Sequence, residues 1–258
     1  MHKTKKNIEN NVAAIILAAG LGTRMKSDLA KVLHPILGKP MICYVLETAY
    51  ALAAENIVVV VGHQADEVIR ICSQTPGLGF ALQKEQLGTG HAVQCAMPEL
   101  AEDVEDVLIL CGDVPLLKAE TVKRLLYDHR ENQRILSLLA VSVDQPHGYG
   151  RVIMDDQRNL TRIVEEADAN ADEKKVRLIN SGIYCVARRF LDASLARITS
   201  ENAQGEFYLT DIIGIGYAEG QKIGVKVGAD DLEVSGVNSI EDLKFVEQVL
   251  TETQTDLG

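Results

Sequence analysis

The sequence predicts an α/β fold in which helices flank a mostly parallel β-sheet. Short, apolar and often β-branched runs recur along the chain, and longer segments with helical spacing of apolar residues lie between them. The chain is also long enough to bury one large core, since 47% of its 258 residues are hydrophobic and 24% are charged. We therefore expect one domain over residues 1–258, with halves at 1–117 and 118–238 and a C-terminal helix and tail at 239–258.

The predicted elements alternate along the chain. Four apolar runs of strand length are predicted to form the first part of the sheet: Val12–Leu17, Ile57–Val61, Val107–Cys111 and Ile135–Val141. A helix is predicted to begin at Pro40, because a proline at the first helical position costs no hydrogen bond. Further predicted helices cover Asp66–Cys72, Gly90–Met97, Ala119–His129 and Ser239–Leu250. After Val143 we expect shorter strands in a second, substrate-facing half of the same sheet, at Tyr149–Met154, Leu160–Val164 and Val176–Val186.

The acidic composition limits the classes of partner. A formal net charge of -11 repels nucleic acid and anionic lipid, so we expect neither nucleic acid nor a membrane as a partner, and a phosphate site must be a local positive cluster. The five cysteines are spread without a CxxC pair, which is typical of thiols in a reducing compartment. The basic start at residues 1–6 and the apolar run after it resemble a secretory signal, but that run leads directly into a glycine-rich loop. We therefore expect a cytoplasmic protein.

The first glycine-rich segment follows the first predicted strand. Residues 17–25 read LAAGLGTRM, and Lys31 follows shortly after. Glycines at the end of a strand let backbone N–H groups approach a phosphate, and Arg24 and Lys31 add the positive charge that a triphosphate requires. A dinucleotide-binding loop would need a third glycine in place of Met25 and an acidic residue near Gly62, and no GxxxxGK[ST] motif occurs. For this segment alone, an ordinary strand–helix turn remains an alternative.

A second glycine-rich segment, QKEQLGTG at residues 83–90, follows the expected third strand. Two such loops at one edge of a sheet predict a nucleotide cleft. The side-chain amides of Gln83 and Gln86 can both donate and accept hydrogen bonds, which suits the edge of a pyrimidine base. The alternative is a plain helix N-terminus with Thr89 near its cap.

A single carboxylate ends the next predicted strand. Residues 108–116 read LILCGDVPL, so Asp113 lies at the carboxyl end of an apolar strand. Ligands bind at that edge of a parallel sheet, and a carboxylate there suits Mg²⁺ that enters with a nucleotide. An aspartate that only accepts hydrogen bonds from loop N–H groups is the alternative.

Eight motifs together carry a family resemblance. They are AAGLGTRM at 18–25 with KVL at 31–33, QLGTGHA at 86–92, GDVPL at 112–116, GYGR at 148–151, IVE at 163–165, NSGI at 180–183, NAQGEFYLTD at 202–211 and GVN at 236–238. In this order they resemble the N-terminal uridylyltransferase (pyrophosphorylase) domain of the bacterial bifunctional N-acetylglucosamine-1-phosphate uridyltransferase/glucosamine-1-phosphate acetyltransferase. The resemblance runs from about Val12 to Val249. It implies a Rossmann-like, glycosyltransferase-A-like fold of the sugar nucleotidyltransferases.

The resemblance also implies a role for each motif residue. Arg24 and Lys31 would hold the phosphates and act in catalysis, and Asp113 and Asn238 would hold Mg²⁺. The nucleotide would be bound by Leu17, Ala18, Ala19, Gly20, Gly22, Thr23, Gln83, Gln86, Gly88 and Thr89. The sugar would be bound by Gly112, Gly150, Glu165 and Asn180, with Thr89 also near its pocket.

Two departures from the family pattern matter. The family often has a lysine two residues beyond Glu165, where this chain has Ala167. A positive contact near the sugar phosphate is therefore missing, which bears on sugar affinity and identity. The bifunctional proteins continue into a β-helix of hexapeptide repeats, whereas this sequence ends at Gly258 without one. We accordingly expect no acetyltransferase activity and no trimer built by that domain.

The implied reaction transfers UMP from UTP to N-acetylglucosamine 1-phosphate and yields UDP-N-acetylglucosamine and pyrophosphate, a precursor supply for cell-wall and lipopolysaccharide synthesis. The motifs contain no Ser-His-Asp triad and no paired carboxylates, which favours Mg²⁺-assisted in-line attack of the sugar phosphate on the α-phosphorus. A sibling enzyme for another sugar 1-phosphate or nucleotide is one alternative. A non-catalytic nucleotide-sugar sensor is another, although it would be expected to lose the phosphate- and metal-binding residues that are present here. The lone histidines His63, His91 and His147 are expected to be structural hydrogen-bonding residues.

Overall fold

The structure is a computed structural model that describes residues 11–53, 56–228 and 230–255; the basic segment at residues 1–6 lies outside these ranges. The strands are β1 (Val12–Leu17), β2 (Pro35–Ile36), β3 (Lys39–Pro40), β4 (Ile57–Val61), β5 (Leu78–Leu82), β6 (Asp106–Cys111), β7 (Leu136–Ser142), β8 (Arg151–Met154), β9 (Leu160–Val164), β10 (Leu178–Ala187) and β11 (Ile223–Val227). The helices are α1 (Met41–Ala53), α2 (Ala65–Cys72), α3 (Thr89–Ala96), α4 (Ala119–Glu131), α5 (Arg188–Leu195), α6 (Asp211–Ala218) and α7 (Ile240–Thr255).

Within the described residues, nine strands form one sheet in the order β11-β7-β10-β6-β1-β4-β5; β8 pairs with β10, and β9 pairs with β8. β1 runs parallel to β4 and β6 on either side of it, and β5 extends the parallel part. β10 runs antiparallel to β6 and β7, and β8 and β9 form an antiparallel pair. The predicted mostly parallel α/β sheet is confirmed. The carboxyl ends of β1, β4, β5 and β6 therefore lie along one edge, where parallel sheets bind ligands.

Helices cover both faces of the sheet, which explains why its central strands are apolar throughout. Alternate residues of β1 face opposite sides, because successive side chains of a strand point to opposite faces. Ala14 and Ile16 pack in the cluster that includes residues of α1, α2 and α4, whereas Ala13 and Ile15 pack with residues of α3, α5 and α6. All four are fully buried. This packed centre fixes the direction in which the loops after β1 and β6 leave the sheet.

The structure differs from the predicted elements at the start of one helix and in several elements that were not predicted. α1 begins at Met41 rather than Pro40, because Pro40 pairs with Pro35 in the β2–β3 hairpin. The helices α5 and α6 and the strands β2, β3 and β11 were not predicted. α6 contains two glycines, each of which costs a helix interior about 1 kcal/mol. A Cβ at Gly216 would lie 3.1 Å from Ile223 Cγ2, so close packing against β11 outweighs the local preference. None of the helices in the described part of the chain combines the length and hydropathy needed to cross a bilayer.

Candidate active site

A cavity of about 480 Å³ lies at the carboxyl ends of β1, β5 and β6. It is lined by the predicted nucleotide residues Leu17, Ala18, Ala19, Gly20, Gly22, Gln83, Gln86, Gly88 and Thr89, together with Lys31 and Asp113. Thr23 begins a short 3₁₀ helix next to this loop, and its side chain is outside the described part of the structure. The two glycine-rich segments, at residues 17–25 and 83–90, thus meet around one cavity.

Glycine is required at one position in each loop. Gly22 has a φ of 61°, and a Cβ there would lie 2.6 Å from Lys31 Cβ. Gly88 has a φ of 113°, and a Cβ there would lie 2.6 Å from the backbone oxygen of Phe207. Both conformations are unfavourable for residues with a side chain. Glycine at these two positions therefore lets the loops pack closely against Lys31 and Phe207, and this packing shapes the cavity.

The second loop is held by a segment far along the chain. Phe207 N donates to Leu87 O, and Gly90 N donates to Phe207 O, each at 2.8 Å. Leu209 N donates to Thr89 Oγ1 at 3.0 Å. The Thr89 hydroxyl therefore accepts from Leu209, and the N-cap position of α3 is occupied by Gly88, which has no side chain.

Gln83 is buried at the wall of this cavity, with a relative exposure of 3%. Its Nε2 donates to Gly88 O at 3.0 Å and lies 3.1 Å from His91 Nδ1. Gln86 is exposed, and its Nε2 donates to Gln83 O at 3.3 Å. Of the two glutamines assigned to the base, one is thus held rigidly and the other is open to solvent.

A cluster of charges joins three distant segments beside the cavity. Lys31 Nζ donates to Asp113 Oδ2 at 2.5 Å and to Asn238 Oδ1 at 2.7 Å. Arg24 Nη2 also donates to Asn238 Oδ1, at 2.7 Å. Val237 N donates to Asp113 O at 2.9 Å, which brings the segment with Asn238 to the end of β6. Asn238 N also donates to Asp242 Oδ2 at 2.8 Å, so the cations of Arg24 and Lys31 and two carboxylates meet around Asn238.

The donor set of this cluster fits a divalent cation. Asp113 and Asn238 both accept a hydrogen bond from the Lys31 ammonium group, so their two oxygens converge on a position that a positive charge occupies. Magnesium is usually held by one or two protein oxygens together with substrate phosphates and water. Among the residues that the structure describes, no group of three or more His, Cys, Asp or Glu side chains is placed so that it could hold a metal ion.

The residues assigned to the sugar form a separate cluster. Asn180 N donates to Gly150 O at 2.9 Å. Gly150 lies directly before β8, and a Cβ there would lie 2.8 Å from Ile163 Cγ2 and 3.1 Å from Glu165 Oε2, so a side chain at this position would crowd both residues. Thr210 Oγ1 donates to Glu165 Oε1 at 3.2 Å. The fourth residue assigned to the sugar, Gly112, instead donates its N–H to Leu17 O, and its contacts lie at the end of β1.

Glu165 lines a second cavity, of about 280 Å³, with several acidic neighbours. Burial raises the pKa of Glu165 above its ordinary value, and the carboxylates of Asp168 and Asp211 add to that rise. The hydrogen bond from Thr210 lowers the pKa and offsets part of the rise. The carboxyl group therefore binds its proton more tightly than an exposed glutamate.

The two clusters adjoin through β10. Cys111, at the end of β6, lines the larger cavity, and its Sγ donates to Gly182 O at 3.5 Å. Gly182 N in turn donates to Asn180 Oδ1 at 2.9 Å. Burial raises the pKa of Tyr149, which lies next to Gly150, and nearby carboxylates, including that of Asp113, raise this pKa further. The sugar residues thus lie beside the charge cluster.

Several cavity residues were not predicted. Leu21, Val32, Ala92, Cys111 and Glu206 line the larger cavity, and Thr210 contacts Glu165. Glu206 and Thr210 belong to the motif at residues 202–211, so the sequence did indicate that this segment is functional. Nothing in the motif indicated which of its side chains face a ligand. The apolar residues carry no such signal.

The comparisons with known proteins identify the family of the chain. A family model described as the MobA-like NTP transferase domain matches residues 14–200. The bifunctional protein GlmU of Desulfotalea psychrophila is 44% identical over 242 residues, which cover 94% of this chain and 71% of that protein. GlmU of Pelobacter propionicus is 48% identical over 240 residues, or 93% of this chain and 52% of that protein. The chain thus spans about half the length of several curated relatives that it matches.

The structural comparison supports the fold alone. A solved structure from Bacillus anthracis, provisionally assigned as a glucose-1-phosphate thymidylyltransferase in complex with a sucrose, superposes with a TM-score of 0.69 at 19% identity. The match covers 92% of this chain and 94% of that one. The predicted resemblance to one domain of the bifunctional proteins is confirmed by the GlmU relatives. The family model covers most of the chain and the relatives align over nearly all of it, so the protein belongs to the MobA-like NTP transferase family of nucleotidyltransferases.

Proposed function

We propose that the protein transfers UMP from UTP to N-acetylglucosamine 1-phosphate in the cytoplasm, forming UDP-N-acetylglucosamine and pyrophosphate. The observation that carries the proposal is that both glycine-rich loops meet Lys31 and Asp113 around one cavity of about 480 Å³. Cavities of roughly 300–1,000 Å³ are typical of small-molecule sites. The GlmU relatives support a sugar phosphate as the acceptor.

The chemistry needs charge and alignment more than a base. The second pKa of a phosphate monoester is about 6, so the attacking oxygen is largely ionised at neutral pH. The protein must instead align this oxygen with the α-phosphorus and offset the repulsion between two anions. In the proposed reaction, Arg24 and Lys31 bind the phosphates and stabilise the charge that develops on pyrophosphate.

Asp113 and Asn238 are the residues that would hold Mg²⁺. When bound, the ion would neutralise part of the charge on the sugar phosphate and the α-phosphate. Lys31 contacts both oxygens in the structure, so the lysine and the ion compete for the same side chains. Release of Lys31 from Asp113 would free its ammonium group for the phosphates.

Glu165 and Asn180 are proposed to bind the sugar. Asn180 Oδ1 already accepts from Gly182 N and from the Tyr184 hydroxyl, so the Asn180 amide nitrogen is the group that is offered to a ligand. Glu165 can accept hydrogen bonds from sugar hydroxyls. Ala167 is exposed and lacks the positive charge that the family often has there, so sugar choice is the part of the proposal that most needs measurement.

The test is pyrophosphate release with Mg²⁺ and UTP, comparing N-acetylglucosamine 1-phosphate with glucose 1-phosphate, glucosamine 1-phosphate and a reaction without sugar. The same series is then repeated with dTTP and CTP. We expect strong preference for UTP with the N-acetylated sugar. Preference for another pair would identify a sibling nucleotidyltransferase. Nucleotide-sugar binding without release from any pair would identify a sensor and overturn the proposal.

A further inference from the structure

The orientation of the Gln83 side chain is determined by two neighbours. A side-chain amide has two N–H donors on one end and an acceptor oxygen on the other. Gly88 O, 3.0 Å from Nε2, is a carbonyl and can only accept. If the amide were rotated by 180°, its oxygen would face another oxygen at this distance. The nitrogen of Gln83 must therefore point toward Gly88.

The second hydrogen of this nitrogen points to His91. His91 Nδ1 lies 3.1 Å from Gln83 Nε2, so Nδ1 must be the unprotonated, accepting nitrogen of the ring. His91 Nε2 then carries the proton and lies 3.8 Å from Cys95 Sγ, a weak acceptor. Burial raises the pKa of the Cys95 thiol, so the sulfur stays uncharged at neutral pH. Each polar atom in this series of hydrogen bonds, from Cys95 through His91 to Gln83, is therefore assigned consistently as a donor or an acceptor.

The remaining polar atom of the amide is Gln83 Oε1. Both hydrogens of Nε2 are used. Oε1 has no hydrogen-bond partner among the described residues, and it is not fully buried. Because Gln83 lines the nucleotide cavity, it presents an acceptor to the base and no donor. Uracil and thymine carry a hydrogen on ring nitrogen N3, whereas N3 of cytosine carries a lone pair. An acceptor that faces N3 therefore pairs with uracil and repels cytosine.

We propose that His91 is a positioning residue that fixes the Gln83 amide and thereby makes the site select UTP over CTP. The inference rests on the proposed function, since it places the base beside Gln83. His91 itself touches no substrate; it acts by holding the second hydrogen of Nε2. Without that acceptor only the Gly88 contact opposes rotation of the amide, so the rotated form, which turns a donor toward the base, becomes more populated.

The experiment compares two substitutions at His91. His91→Asn keeps an acceptor oxygen at the position of Nδ1, and His91→Leu removes it. We expect the ratio of kcat/KM for UTP to that for CTP to fall roughly 10- to 100-fold in His91→Leu, because an unmatched buried polar contact typically changes affinity by this factor. His91→Asn should keep the ratio within about 3-fold of the native protein. The ratio of UTP to dTTP should change in neither variant, because both bases carry N3–H.

His147→Leu is the matched control, since the His147 side chain is 92% exposed and lies outside the cavity lining. A damaged fold would lower activity with UTP and CTP alike and leave their ratio unchanged. An unchanged ratio in a folded His91→Leu protein would overturn the inference while leaving the proposed reaction intact. Absence of pyrophosphate release by the native protein with any nucleotide would instead count against the proposed function.

The ring tautomer gives a readout that needs no substitution and no substrate. Nitrogen-15 NMR of the native protein should show His91 protonated on Nε2 and unprotonated on Nδ1. A His91 ring protonated on Nδ1 would overturn the inference, because Gln83 Nε2 would then face a donor. This measurement remains decisive even if His91→Leu fails to fold.

Discussion

The cavity proposed to bind the nucleotide (the nucleotide cavity) and the residues proposed to bind the sugar (the sugar cluster) lie side by side but are built in different ways. The cavity is formed mainly by loops that directly follow the parallel strands β1, β5 and β6. The sugar cluster depends on the antiparallel strands β8, β9 and β10 and on a register shift in β10 between Asn180 and Tyr184. A local motif is therefore sufficient to place a cavity residue, whereas a sugar residue is placed by pairing between distant strands.

This difference predicts that substitutions in the two regions affect different measured quantities. Changes at the charge cluster should reduce turnover with every sugar. Changes in the sugar cluster should alter the KM for the sugar or the stability of the protein. The predictions below test this separation, beginning with the largest expected effect.

Asp113→Asn should reduce kcat roughly 1,000-fold with every sugar, because removal of the carboxylate weakens both the metal position and the partner of Lys31. Pyrophosphate release at saturating substrates measures the loss. Asp156→Asn, an exposed turn residue, should retain the native rate. A near-native rate for Asp113→Asn would remove Asp113 from the proposed mechanism.

Lys31→Met should reduce kcat roughly 100-fold, since one cation that stabilises the developing phosphate charge is lost. The same change should strengthen binding of Mn²⁺ to the nucleotide-free protein, because the ammonium no longer competes for Asp113 and Asn238. Electron paramagnetic resonance of free Mn²⁺ measures this binding. Lys39→Met serves as the control, since Lys39 pairs with Glu47 and lies over the Tyr44 ring. Weaker Mn²⁺ binding by Lys31→Met would contradict the competition.

Gly182→Ala should lower the free energy of unfolding by about 2–3 kcal/mol. Gly182 has a φ of 76°, and a Cβ there would lie 2.7 Å from Cys111 Sγ. Gly148→Ala separates the two costs, because Gly148 has a φ of 85° but no atom within 4 Å of a Cβ. Urea unfolding should show a loss of only about 1 kcal/mol for Gly148→Ala. Equal losses would mean that the contact with Cys111 costs nothing.

Glu165→Gln should raise the KM for the sugar phosphate roughly 10-fold and leave the KM for UTP nearly unchanged, because the amide accepts fewer hydrogen bonds from hydroxyl groups. Steady-state kinetics with each substrate varied in turn measures both values. Thr161→Val, on the same strand with a hydroxyl that bonds Ile153 O, is the control. An equal rise in both KM values would show that the two regions are not separable.

The same variant has a smaller, pH-dependent effect on stability. The folded-state pKa of Glu165 is raised by burial, so the folded protein binds this proton more tightly than the unfolded chain. Stability from this group is therefore complete below the ordinary glutamate pKa of about 4.3 and is lost as pH rises through the raised value. Urea unfolding should find Glu165→Gln more stable than the native protein at pH 7, with the difference shrinking as pH falls toward 4. A difference that grows on acidification would contradict the raised pKa.

The sequence predicted where the motif residues lie in the fold better than it predicted which side chains they contact. Gly22, Gly88 and Asp113 follow directly after strands or within short loops, so their position at one edge follows from strand direction alone. Sequence reasoning gave His91 no role, because its significance depends on the side chain of Gln83 eight residues earlier. It likewise missed α6, because local helix preference does not reveal that Gly216 packs closely against β11.

By itself, the sequence determined the α/β class, the family and the residue types of the two loops, since these depend on periodicity and on motifs that are contiguous in the chain. Only the tertiary structure decided which atoms pair. Lys31 meets Asn238 across 207 residues, and Thr210 meets Glu165 across 45. Such contacts depend on strand register and on the packing of loops from different elements, which no local pattern of residues specifies.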